Sequence, residues 1–268
     1  YPTSPMIAEL VVWAGVAAPP PARKLGYAKA TVSLWSRHRR CAARWQAHEA
    51  KSREFILDVA QSSRRFDTLW LFGAGTLADL PLTELSSLFR RILVFDITSL
   101  ASARRRLRHF GTVELQLADL TGLVEPLREW RPQTPLPLPS GEGLAELDPV
   151  PPDCVLSVNL LSQLPLLPMD YVKRHGLGRH AAENFGRAIL QAHLAGLNAF
   201  SCPVGLLTDA ARIWRSRAGE TVMRESAVLD VGLPPAEREW LWPLAPRGEI
   251  DPESSLEVRV QASRLGAL

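Results

Sequence analysis

The sequence predicts an α/β protein with a doubly wound, mostly parallel sheet of about seven strands, an antiparallel final hairpin and an N-terminal helical cap. Three observations carry this expectation. Leu69 to Asp96 reads as strand, glycine turn, helix and second strand. Short, continuous apolar runs recur along the chain with helix-length segments between them, as strands covered on both faces should read. A carboxylate or amide follows run after run, at Asp96, Asp119, Asn159 and Asp209. The expected division is a helical cap over residues 1–63 and the sheet-containing domain over 64–268.

Up to about Ser63 the chain reads as helical. Pro19, Pro20 and Pro21 separate a short first helix from a longer one, on which Leu34, Trp35, Cys41, Trp45, Phe55, Ile56 and Val59 recur near multiples of three and four. That spacing makes one apolar stripe, and Trp35 and Trp45 lie on it as core residues. The other faces are basic: from Arg23 to Arg53, nine Lys or Arg stand against one acid, Glu49. Two readings are open, a solvated face around the tryptophans and a surface that attracts an anionic partner or RNA.

LWLF (Leu69 to Phe72) runs into Gly73, Ala74 and Gly75, where small residues let the backbone turn sharply and approach a ligand. A helix is expected from about Thr76. ILVF (Ile92 to Phe95) ends at Asp96, 21 residues after Gly75, near the roughly 20-residue spacing at which nucleotide-binding units place a carboxylate on ribose hydroxyls. Taken alone, the glycines also fit a plain strand-to-helix turn, and Asp96 also fits a helix N-cap before Ile97.

The alternation continues with a helix over residues 101–110 and a strand from Thr112 to Leu120 with Asp119 near its carboxyl end. A short helix follows from about Gly122 to Trp130. Arg131 to Asp153 carries seven prolines and two glycines and reads as an exposed loop. CVLSV (Cys154 to Val158) is a fourth strand ending at Asn159, which can bind a substrate amine or hydroxyl or cap the next turn. A helix over about 180–197 leads to a fifth strand, Val204 to Asp209. Thr221 to Leu229 and Leu256 to Ala262 read as an antiparallel pair at the far edge, with Trp240 to Gly248 as their connection.

At 268 residues and 46% hydrophobic, the chain has material for one substantial core. A formal net charge of +3 does not by itself indicate nucleic acid. Cys41, Cys154 and Cys202 are odd in number and far apart, which fits neither a disulfide framework nor a zinc knuckle and points to a reducing, cytoplasmic setting. No metal site is expected. The apolar stretch from Met6 to Ala18 has 13 residues and contains Glu9, too short for a membrane-spanning helix. The sequence begins at Tyr1 and not at methionine, which leaves an upstream segment open.

With these residues assembled, the chain from about 66 to 265 resembles the class I S-adenosylmethionine-dependent methyltransferases, which have a Rossmann-like fold. The resemblance implies S-adenosylmethionine as cofactor, with Gly73, Ala74 and Gly75 forming its loop and Asp96 holding the ribose hydroxyls. Asp119 would contact the adenine amino group, Ile97 and Leu120 would join the binding site, and Asn159 would stand at the mouth of the transfer site. It implies a small-molecule or macromolecular methyl acceptor. Two positions depart from the family pattern: Leu71 replaces an acidic residue and Leu77 replaces a third glycine. No NPPY or DPPY tetrapeptide follows the fourth strand.

Methyl transfer from a sulfonium asks mainly for alignment and exclusion of water, so no catalytic residue is assigned. His175, His180 and Asp209 are candidates for a base by placement alone, and each also fits a structural role. A catalytically inactive scaffold of the same fold is the main alternative. A nicotinamide-dependent oxidoreductase ranks below it, because Ala78 stands where a dinucleotide fold has its third glycine.

Overall fold

Strand β1 (Thr68–Phe72) is buried along its whole length because both of its faces are covered, and it is the hinge of the sheet's topology. In the computed structural model, which describes residues 7–265, β1 pairs in parallel with β2 (Arg91–Asp96) on one side and β4 (Cys154–Val158) on the other. Residues 1–6, including Met6 at the start of the apolar N-terminal stretch, and 266–268 lie outside the described residues. β3 (Val113–Leu117) extends the parallel sheet beyond β2, and β5 (Val204–Arg215) extends it beyond β4. With β6 (Thr221–Ser226), β7 (Arg238–Ala245) and β8 (Ser255–Leu265), the sheet has eight strands in the order β3-β2-β1-β4-β5-β8-β7, with β6 also on β5.

This is the doubly wound, mostly parallel, Rossmann-like arrangement that the alternating apolar runs predict. Side chains alternate between its faces. Leu69 and Leu71 enter one core with Phe55, Ile56 and Val59, while Trp70 and Phe72 enter the other with Phe185 and Ile189. The first layer is made by α3 (Tyr27–Gln61), α4 (Leu82–Leu88) and α5 (Ala101–Leu107). The second is made by α6 (Val124–Glu129), α7 (Leu166–Arg174) and α8 (Arg179–Asn198). Burying one large apolar side chain contributes about 1.5–3 kcal/mol, so these two layers supply the main drive to fold.

The N-terminal helices occupy the sheet's carboxyl edge. α1 (Ile7–Ala14) leads to a bridge in which Ala17 and Ser99 exchange backbone hydrogen bonds, each 2.8 Å. α2 (Pro20–Leu25) starts on the proline pair and packs Ala22 and Leu25 against Val124 of α6. α3 then runs for 35 residues, a length of about 52 Å at the helical rise. Its C-terminal half covers the sheet face, and its N-terminal half overhangs the strand ends.

Four expectations are corrected. No helix starts at Thr76: residues 76–80 turn irregularly and α4 begins only at Leu82, since the residue before Pro81 is disfavoured in helical conformation. β3 stops at Leu117, which leaves Asp119 and Leu120 in the loop beyond it. β5 continues through Asp209 to Arg215, with a register shift between Asp209 and Ala211. The expected pair at the far edge does not form. β6 and β8 each pair with β5, and Trp240 to Ala245 is strand and not connection. Pro243 hid β7; it sits where the ladder to β8 slips, between Trp242 and Ala245, on an edge strand that tolerates a missing donor.

Gly73 marks the tightest backbone approach of the switch. Its φ is +91°, and a Cβ there would stand 2.7 Å from the Val158 carbonyl oxygen. Gly75 has φ +49° with open space beside it. Gly75→Ala should therefore cost about 1–2 kcal/mol from backbone strain alone. Gly73→Ala should cost clearly more in urea unfolding, because the β1 and β4 ends must also separate. Equal losses for the two variants would refute this packing.

Buried Asp209 is pushed up from 3.8 to about 6 by burial, and among the described residues only the Ser162 hydroxyl donates to it, at 3.3 Å. A carboxyl whose folded pKa is raised favours folding below its unfolded value and loses that contribution as pH rises through about 6. Asp209→Asn should thus raise stability near pH 7.5 by on the order of 2 kcal/mol, with the gain vanishing by about pH 4. His48 and His193 work in the opposite sense: burial lowers them from 6.5 to about 3 and about 4, so both lose stabilisation as pH falls.

Candidate functional site

In a doubly wound sheet, ligands bind outside the carboxyl ends of the strands where the strand order reverses. Here that point lies between β1 and β4. The turn at Gly73, Ala74 and Gly75 leaves β1 and is held from β2: the Asp96 Oδ2 accepts the Ala74 N–H at 2.8 Å and the Gly75 N–H at 3.1 Å. Asp96 Oδ1 accepts the Thr98 N–H at 3.2 Å. Burial raises the pKa of this carboxyl, opposed by these backbone donors. Three N–H groups leave room for another donor on Oδ1, since a carboxylate offers about four acceptor positions.

Leu77 adopts φ +64°, the left-handed conformation that a glycine takes readily. Its side chain is 1% exposed and packs into the helix-side core, away from the crevice. The strain of about 1–2 kcal/mol is offset by burial of a leucine, worth about 1.5–3 kcal/mol.

Two adjoining cavities flank the glycine turn. The first holds about 240 Å³ and is lined by Gly75, Asp96, Ile97, Asp119 and Leu120, with Tyr27, Thr31 and Leu34 of α3 across from them. Its walls are largely apolar. The Thr31 and Thr98 hydroxyls, 2.7 Å apart, tie α3 to the loop after β2. Asp119 is heavily engaged: Oδ1 accepts the Thr121 N–H at 3.0 Å and hydroxyl at 2.7 Å, and Oδ2 accepts the Val124 N–H at 2.7 Å at the start of α6. Burial, and then the charge of Asp119, raise the pKa of Tyr27.

The second cavity, about 90 Å³, is lined by Gly73, Asp79, Asn159, His38, Trp45 and Trp242 among others. Asn159, at φ +48°, donates from Nδ2 to Asp79 Oδ2 at 2.8 Å, and its Oδ1 is buried without a donor. Asp79 is 27% exposed and stands at this cavity; burial, the largest influence, brings its pKa to about 6. His48 lies behind, 1% exposed and stacked on Trp242 with ring centroids 4.0 Å apart. Its Nδ1 accepts the Trp240 indole N–H at 3.1 Å, which fixes the proton of the neutral ring on Nε2, 3.9 Å from Asp79 Oδ1.

The eight residues singled out from the sequence, Gly73, Ala74, Gly75, Asp96, Ile97, Asp119, Leu120 and Asn159, all line one or both cavities. The three proposed bases line neither. His175 packs on Tyr171 at the end of α7, His180 is exposed in the first turn of α8, and Asp209 is buried within β5. Sequence reading missed Tyr27, Thr31, His38, His48, Asp79 and Trp242. Trp45, assigned to the core, is indeed 4% exposed, yet its edge walls the second cavity. The basic face of α3 is partly matched internally: Arg37 and Arg40 pair with Glu249, and Arg53 pairs with Glu49 at 3.2 Å and donates to the Ala78 carbonyl. Among the described residues, no group of three or more His, Cys, Asp or Glu is placed to hold a metal, and no helix is long and apolar enough to cross a membrane.

No family model matches the sequence, and no curated protein matches it. Solved structures with a similar course of chain include the N-methyltransferase NodS from Bradyrhizobium japonicum WM9 in complex with S-adenosylhomocysteine. It is 12% identical, with 81% of this chain and 86% of that one covered and a TM-score of 0.37. A 1,6-didemethyltoxoflavin-N1-methyltransferase from Burkholderia thailandensis is 13% identical, with 99% and 93% covered and a TM-score of 0.41. An rRNA methylase from Streptococcus thermophilus is 14% identical, with 79% and 94% covered and a TM-score of 0.33. At TM-scores below 0.5 these likenesses carry no argument about the chemistry of this chain.

Proposed function

We propose that the protein is an S-adenosylmethionine-dependent methyltransferase. The observation that carries this reading is the clamp of Asp96 on the glycine turn, beside an apolar cavity of about 240 Å³ at the topological switch point. The residues present fit the cofactor. A Cβ at Gly75 would project into open space, so the turn leaves a cradle that any other residue would begin to fill. Asp96 keeps acceptor capacity on Oδ1 for a ribose hydroxyl, and Ile97 and Leu120 offer apolar walls to a purine. Asp119 has acceptor capacity left on Oδ2 for an adenine amino group. Asn159 lines the second cavity, which adjoins the first at Gly75 and Asp96.

When bound, the cofactor supplies an electrophilic methyl group on a sulfonium. The chain's own contribution is alignment and dryness. In this reading the described part of the N-terminal region, residues 7–63, forms a helical cap whose Tyr27, Thr31 and Leu34 close the crevice against solvent. Asp79, with a pKa of about 6, is able to hold a proton at the second cavity near neutral pH. The methyl acceptor is a small molecule or a group on a larger one that reaches this cavity; RNA is favoured by the basic face of α3 alone.

A second reading, a scaffold of the same fold without activity, has one observation in its favour. Leu71 is fully buried in β1 where the resembled family carries an acid, so one anchoring carboxylate is missing.

Calorimetry separates the readings. S-adenosylmethionine and S-adenosylhomocysteine should bind and NADH should not. Asp96→Asn should weaken the binding about tenfold to a hundredfold, as loss of a charged hydrogen bond worth about 1.5–3 kcal/mol implies. A wild-type protein that binds neither adenosyl compound refutes the assignment.

A further inference from the structure

Helix α1 wears its apolar residues on the outside. The side chains it turns to solvent are Ala8, Leu10, Val11, Trp13 and Ala14, whereas Glu9 and Val12 face the protein. Leu10 is 51% exposed, Val11 69% and Trp13 48%. The one charged residue of the helix, Glu9, is turned inward and accepts a hydrogen bond from the buried Ser36 hydroxyl of α3. A surface helix in water places its polar residues the other way round, and a contiguous apolar face marks a surface that something covers.

The rim of this face is cationic. Ser36 lies on a stripe of α3 with Lys29, Val32 and Arg39, spaced three or four residues apart, and Lys29 and Arg39 are exposed. On the other flank, a Cβ on Gly15 would stand 3.4 Å from the Ala101 Cβ of α5. Arg105 and Arg108, four and seven residues beyond Ala101, continue that side of α5 and are exposed. The Arg23 guanidinium lies over the Trp13 ring, 5.7 Å from its centroid. Arg37 and Arg40 are matched by Glu249, but among the described residues Lys29, Arg39, Arg105 and Arg108 have no carboxylate within ion-pair distance. From Ala8 to His48 the only acid in the sequence is the inward Glu9.

We propose that α1 and this rim dock on the surface of an anionic phospholipid bilayer, with Leu10, Val11 and Trp13 entering the boundary between headgroups and acyl chains. A helix of eight residues is about 12 Å long, too short a face for the roughly 800 Å² per partner that a stable protein interface buries. A second copy of the chain would also set one cationic rim against another. A bilayer needs no matched area: acyl chains take the apolar face and acidic headgroups take the cations. The apolar area of one short helix gives only marginal affinity, and the basic residues beside it supply the second signal that lasting attachment requires. The inference does not rest on the methyltransferase reading, and its test is indifferent to whether an adenosyl compound binds.

The test is co-sedimentation of the protein with vesicles of phosphatidylcholine alone and of phosphatidylcholine with about 30% phosphatidylserine. Binding to the anionic vesicles is expected, at least about tenfold stronger than to the neutral ones and weakening steeply as sodium chloride is raised from about 0.1 to about 0.5 M. Val11→Asp, at an exposed position, should weaken it at least about tenfold, and so should Arg105→Gln combined with Arg108→Gln. The lipid and salt series need no variant and stand even if a variant fails to fold. Absence of binding, equal binding to both vesicles, or binding unchanged in Val11→Asp would each overturn the inference. So would a dimer in analytical ultracentrifugation that Val11→Asp dissociates, which would give the face to a second copy, or binding to a transfer RNA without binding to the vesicles.

Discussion

The carboxylate of Asp96 accepts two consecutive backbone N–H groups from the turn that leaves β1, and the crevice depends on this contact. It ties the end of one strand to the end of its neighbour with charge-assisted hydrogen bonds, which are stronger than neutral ones. The turn can then stay open above Gly75 without collapsing onto the sheet. The same contact preorganises the acid: its orientation is fixed before any hydroxyl arrives, so little ordering cost remains for a ligand. Gly73 complements it from the other side, where only the absence of a side chain lets β1 and β4 close to van der Waals distance.

A single helix, α3, joins the architecture to the chemistry. Phe55, Ile56 and Val59 near its end are fully buried on the sheet, while Thr31, Leu34 and His38 near its start roof the two cavities. Between them the helix turns a polar set inward: His48, Glu49 and Ser52 are buried. Buried polar groups need partners: His48 finds one on Trp240 of β7, and Glu49 finds two on the same helix, His38 and Arg53. The antiparallel end of the sheet is therefore coupled to the crevice through the helix, and Trp242 reaches the second cavity from the far edge strand.

Some of this was legible in the residues. Leu69 to Phe72 and Ile92 to Phe95 are apolar without a break because both faces of β1 and β2 are covered, and the glycine pair and Asp96 stand at fixed offsets from those runs. The terminal strands were read less well. Pro243 masked β7, and Asp209 looked like a strand end because acids are depleted in strands, whereas it is buried at a register shift inside β5. The irregular turn over residues 76–80 stands where a helix was expected to follow the glycine turn. Its failure to become one is what swings Asp79 to within 2.8 Å of Asn159.

The sequence by itself determined the alternation of elements, the mostly parallel character of the sheet and the expectation that Gly73, Gly75, Asp96, Asp119 and Asn159 gather at its carboxyl edge. These are local or nearly local signals, set by hydrophobic period, turn chemistry and spacing along the chain. Only the tertiary structure decided that α3 roofs the crevice, that Arg37 and Arg40 are matched by Glu249, and that Asp79 meets Trp45, Trp242 and Asn159 around one cavity. Those residues lie up to more than two hundred positions apart in the chain. Their meeting depends on how helices and an edge strand pack over the sheet, and no periodicity along the sequence encodes that.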